Sequence, residues 1–162
     1  MTTSRDSENP SSASRWIPVV AWAGLISLLS TDAFSGDHTR HFLLPAIQFF
    51  LPSAAPETVF AIHDLLRKLA HAAEYGVLGW LAVRAYARPR RTAARASALA
   101  FALCAAWAAL DELHQSFVPS RTPAVLDVAL DSAGALAGIA LREAYVRWAR
   151  ARAVVARAVL QR

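Results

Sequence analysis

Hydrophobic residues in this chain are gathered into blocks separated by short polar or basic stretches. The first block starts at Trp16 and continues through Ser30, Thr31 and Asp32 to Phe34, so residues 16–34 read as a helix long enough to span a bilayer. A second block covers 69–86, a third lies within 93–118 with its cleanest part at 96–110, and a fourth covers 124–141. Between the first and second blocks, 42–51 is apolar but only ten residues long. That is too short to span, and the stretch reads as a helix along the membrane surface. Short connections between the later blocks predict antiparallel neighbours. The fold expected is all-α: a polytopic membrane protein with four transmembrane helices, a short surface helix and a basic C-terminal helix.

The ends of the chain differ from the blocks. Residues 1–15 form a polar, Ser/Thr-rich tail expected to be disordered. A signal peptide is a rival reading of the first block, although the residues after it offer no convincing cleavage site. Residues 143–162 carry an arginine every few positions. They read as a basic amphipathic helix on an anionic leaflet, or as a helix that binds a partner protein. This leaves 16–142 as the membrane domain.

Composition sharpens the membrane reading. Hydrophobic residues make up 56% and charged residues 18% of the 162, and mean hydropathy is +0.31, an apolar balance for a soluble domain of this length. The formal charge of +5 does not argue for nucleic acid, because the arginines flank apolar blocks instead of forming a basic face. Cys104 is the single cysteine, which excludes a disulfide within one chain.

Loop charge sets an expected orientation. ARPRRTAAR, between the second and third blocks, and the C-terminal tail are both strongly basic, so both are expected in the cytoplasm together with the N-terminus. Residues 35–67 and 118–123 then lie outside. This arrangement gathers ionisable residues near one face. Lys68, His71 and Tyr75 fall at i, i+3 and i+7 on one helix face. Asp111 and Gln115 fall at i and i+4, as do Asp127 and Asp131, with Glu74 and Glu112 beside these faces. Arg121 lies in the outer loop. Gly134 and Gly138 form a GxxxG on the last block, and Gly76 and Gly79 put small residues on the second, a pattern that lets helix backbones approach closely.

Each charge also has a plain structural explanation. Arg67, Lys68 and His63 would sit among headgroups, with Lys68 snorkelling. Asp127 near a helix start is favoured by the macrodipole. Taken together, charges of both signs at one depth of a bilayer usually face a cavity or a pathway. Mutual pairing in a structural ion-pair core is the alternative.

RKLAHAAEYGVLGWL and ALDELHQSFVPSRTPAVLDVALDSAGALAGI resemble the VanZ-like family of bacterial membrane proteins. Lys68, His71 and Tyr75 match its first motif, and Asp111, Glu112 and Gln115 its second. Arg121, Asp127 and Asp131 match its third, and Gly134 and Gly138 its final small-residue repeat. LISLLS, ending at Ser30, is similar to the end of the family's first span. Asp131 departs from the pattern, where asparagine is common, and so does Ser120, where glycine is common. The resemblance covers about residues 16–142 and implies a plasma-membrane protein. The family is named for a protein associated with teicoplanin resistance, a glycopeptide phenotype that brings no settled biochemical activity with it.

Together the residues and the resemblance predict an outward-facing site for an anionic cell-envelope lipid or small molecule. Lys68 and Arg121 would hold the anion, with Tyr75, Gln115 and Asp127 completing the binding set. If turnover occurs, His71 would act as general base or acid, tuned by Asp111 or Asp131, and Glu112 would transfer a second proton. A divalent metal on His71, Glu112, Asp127 and Asp131 is a variant that spacing alone does not require. The sequence leaves any cofactor unidentified. Binding or shielding without turnover, and an ion-pair core without a ligand, are the alternatives.

Overall fold

The computed structural model describes residues 12–31, 36–117 and 125–161, with 36–38 described by their backbone alone. The described residues form five helices and no strand: α1 (Ser12–Leu29), α2 (Gly36–Phe50), α3 (Pro56–Tyr86), α4 (Ala93–Gln115) and α5 (Val125–Leu160). Helix starts follow local chemistry. Pro56 opens α3, where a missing N–H costs nothing and a fixed φ suits the first turn. Thr92 caps α4, its Oγ1 accepting from the backbone N–H of Arg95 at 3.3 Å. Pro18 and Pro45 lie inside α1 and α2, where each removes one backbone hydrogen bond.

α3 is the hub and packs against each of the other four helices. Its closest partner is α5, and the two run parallel. A Cβ added at Gly138 would overlap the backbone carbonyl of Gly76, one at Gly134 that of Ala72, and one at Gly79 that of Ala135. The GxxxG on the fourth block is therefore a contact face, as its spacing suggested. α1 and α4 run opposite to α3 and α5. The core between them is built largely of small residues, among them Ala82, Ala100, Cys104 and Ala135, around Ile26, Tyr75 and Leu78.

Outside this core the bundle presents large apolar side chains. Ile17, Val20 and Leu28 on α1, Leu110 and Leu113 on α4, and Leu136 and Leu141 on α5 are all exposed. α1 and α4 are long and apolar enough to cross a membrane. In α3 and α5 the apolar stretch is interrupted by His71, Glu74 and Arg84, and by Asp127, Asp131 and Arg142.

Three boundaries differ from those the sequence predicts. α1 begins at Ser12, inside the stretch read as a tail, and residues 1–11 lie outside the described residues. α3 begins at Pro56 instead of 69, so at 31 residues it measures about 46 Å, well beyond a hydrocarbon thickness of about 30 Å. The fourth block and the basic tail form one 36-residue helix, not two. No glycine, proline or cap residue interrupts 142–160, and the arginines there keep a helical spacing, so nothing ends the helix at Leu141.

Candidate functional site

The extra turns at the start of α3 shape the site. Asp64, Arg67, Lys68 and His71 fall at i, i+3, i+4 and i+7, one face of one helix. α2 docks beside this face. Thr39 Oγ1 lies 3.4 Å from Nε2 of the fully buried His63, and the Arg40 guanidinium sits 5.9 Å from the centre of the Phe60 ring. His63 is thus buried against α2. Its Nδ1 lies 3.1 Å from Asp64 Oδ1.

The end of α4 and the start of α5 close the other sides. The result is a cleft of about 280 Å³. Of the residues singled out from the sequence, Lys68, His71, Glu112, Gln115, Asp127 and Asp131 line it. Arg40, Asp64 and Arg67 also line it and were not among the site residues expected. Arg121 lies outside the described residues.

Asp111 and Tyr75 do not line the cleft. They stand behind it in the bundle. Asp111 Oδ2 accepts from Ser30 Oγ at 2.7 Å and from Gln115 Nε2 at 3.1 Å, tying the end of α1 to α4. All three residues are buried. This gives Ser30 a role that its position at the end of the first apolar block only hinted at. Nearby, Trp22 Nε1 donates to the backbone carbonyl of Glu74 at 2.8 Å and fixes α1 against α3 at the level of the site. Tyr75 is fully buried in the core. Its hydroxyl, Asp111 Oδ1 and Asp131 Oδ1 are buried without a hydrogen-bond partner among the described residues. Buried polar atoms are nearly always paired, so these three from three helices make this part of the bundle unlike the apolar core around it.

His71 Nδ1 lies 3.9 Å from Glu74 Oε2, a separation that allows attraction but is too long for a hydrogen bond. Arg67 and Lys68 form no salt bridge among the described residues. His71, Glu112, Asp127 and Asp131 share the cleft, yet among the described residues no three His, Cys, Asp or Glu side chains group closely enough to hold a metal ion.

A second, larger cleft of about 670 Å³ lies at the opposite end of the bundle, where α1 begins and α3 ends.

The fold and cleft define a class: a small all-helical protein, two of whose helices are apolar enough to cross a membrane, with a charged cleft at one end of the bundle. The model of the VanZ/LLP1 family matches residues 5–145, most of the chain, and the chain belongs to that family. No curated protein and no solved structure matches it.

Proposed function

We propose that this VanZ-like protein spans the plasma membrane four times, through α1, the later part of α3, α4 and the first half of α5. The cleft opens to the outer face and binds the anionic headgroup of a cell-envelope lipid or a small anion of similar chemistry. Arg40, Arg67 and Lys68 hold the anion, with Arg121 from the outer loop as a further cation. The observation that carries this reading is the gathering of three cations from two helices at one cleft that also holds the carboxylates of Asp64, Glu112, Asp127 and Asp131, with Arg67 and Lys68 in no salt bridge among the described residues. Guanidinium and ammonium groups converging on one space suit phosphate or carboxylate. His71, with Glu74 beside it, is the group positioned to give or take a proton at the bound anion.

The membrane part of the reading draws support from the apolar exterior, since contiguous exposed apolar surface of this kind suits lipid and not water. It has a direct test. In a Cys104→Ala background, Ser53→Cys should be labelled in intact cells by a membrane-impermeant maleimide, and Thr92→Cys should be labelled only after lysis. Both positions are exposed. Labelling of Thr92→Cys in intact cells with protection of Ser53→Cys would reverse the orientation.

The ligand is tested by mass spectrometry of lipids that co-purify with the full chain in mild detergent, beside an Arg67→Ala/Lys68→Ala variant. An anionic envelope lipid should be retained by the wild type and reduced about tenfold in the variant, the scale of losing one or two charge-assisted hydrogen bonds. Equal ordinary lipid in both, at equal thermal stability, would sink the anion site. A variant that loses stability with no specific lipid on the wild type would favour the ion-pair core.

A further inference from the structure

The cleft at the opposite end has a composition that orientation signals alone do not require. Arg15 reaches it from the start of α1, Arg84 from the last turn of α3, and Arg88 and Arg91 from the connection to α4. Arg142, Arg147 and Arg150 complete it from α5. Seven arginines from four segments thus line one space of about 670 Å³, and Glu143 is the one carboxylate among the lining residues. Glu143 is already engaged, its Oε1 accepting from Arg142 Nη1 at 2.7 Å. Arg91 donates to the carbonyl of Tyr86 at 2.9 Å and stacks over the Tyr86 ring. Arg15 Nε is buried with no hydrogen-bond partner among the described residues.

Basic residues that only fix membrane orientation act by their number in a loop, and need not converge. Here they converge because α5 continues past the end of its apolar stretch as the same helix. That continuation brings Arg147 and Arg150 alongside the α3–α4 connection. Like charges focused in a cleft repel one another and raise the local concentration of counter-ions. An occupant with several negative charges relieves that repulsion, and the planar guanidinium fork matches phosphate oxygens two at a time.

We propose that this arginine-lined cleft binds a phosphate-bearing anion with at least two negative charges, a diphosphate or a phosphomonoester group. The group is supplied either by a membrane lipid headgroup or by a free phosphate compound. The site is separate from the cleft at the other end, since Lys68 and Arg84 stand about 24 Å apart along α3.

The test uses the full chain in a neutral detergent. One arm titrates inorganic pyrophosphate by calorimetry. The other follows phosphatidic acid against phosphatidylcholine by native mass spectrometry. The cleft variant is Arg88→Gln/Arg147→Gln/Arg150→Gln, all at exposed positions. Its charge-matched control is Arg90→Gln/Arg152→Gln/Arg157→Gln, outside the cleft. Saturable pyrophosphate binding, weakened about tenfold in the cleft variant and unchanged in the control, supports the site and shows that a free phosphate group suffices. Phosphatidic acid binding with the same variant pattern, and none by pyrophosphate, supports a lipid headgroup as the source. If the glutamine variant does not fold, the Arg→Lys version of the same three positions keeps the charge and loses the fork, and it should bind measurably more weakly than the wild type. No binding in either arm, or equal weakening in the cleft variant and the charge-matched control, overturns the proposal.

Discussion

Gly138→Ala should cost about 3 kcal/mol of stability, the upper end of what overpacking a well-filled interior costs. The added methyl would fall on the carbonyl of Gly76 and within 2.6 Å of its carbon. A flexible side chain could rotate away from such a contact, but a helix backbone cannot. The helices must separate or slide, and either movement loosens the packing of Leu78, Ala135 and Ile139 along the same seam. Two glycines provide the contrast. A Cβ at Gly24 meets nothing within 4 Å, and one at Gly76 meets the Gly134 carbonyl at 3.4 Å, an ordinary contact. Gly24→Ala and Gly76→Ala should therefore unfold close to the wild type. The measurement is thermal unfolding of the purified proteins in detergent. A Gly138→Ala protein with the wild-type midpoint would mean that α3 and α5 do not pack backbone to backbone.

This seam and the polar cleft differ in how far the sequence reveals them. Lys68, His71, Asp127 and Asp131 are legible because an α-helix repeats every 3.6 residues, so spacing alone puts them on common faces. Asp64 and Arg67 are not, because the cue at the start of α3 is ambiguous. Pro56 punctuates the chain, and a proline is as apt to open a helix as to end one. With the helix taken to begin at 69, Asp64 and Arg67 look like loop charges. Once it begins at Pro56, they join the face of Lys68 and His71. The glycine contact is legible in type, yet small residues at a spacing of four are common in an alanine-rich chain. Only the backbone approach distinguishes Gly138 from Gly24. The arginine cleft is the least legible feature. Its members come from four segments, and each has a sufficient local reason to be there, so nothing in the linear order signals that they meet.

Asp111→Ala is expected to have the second large effect, and it separates a structural role from a ligand role. Asp111 matches a family motif and was expected in the catalytic set, but the cleft is lined by its neighbours Glu112 and Gln115. Its Oδ2 instead receives two hydrogen bonds, from Ser30 and from Gln115. Alanine would leave a hydroxyl and an amide buried without that acceptor, at about 1–3 kcal/mol for each unsatisfied group. The loss should be visible as a lowered unfolding midpoint, and Ser30→Ala should give a smaller drop of the same sign. Asp111→Asn keeps an oxygen that can accept both bonds, so it should be more stable than Asp111→Ala. It also places an amide where Oδ1 has no partner among the described residues, so it should fall short of the wild type. The asparagine variant also reads out charge. If the carboxylate serves only to join α1 to α4, Asp111→Asn retains the co-purifying anionic lipid in proportion to its stability. If the negative charge tunes His71 across the bundle, lipid retention or turnover changes by more than the drop in unfolding midpoint accounts for. A wild-type midpoint for Asp111→Ala would remove the structural role, leaving the buried Ser30–Asp111–Gln115 cluster to be explained by the site alone.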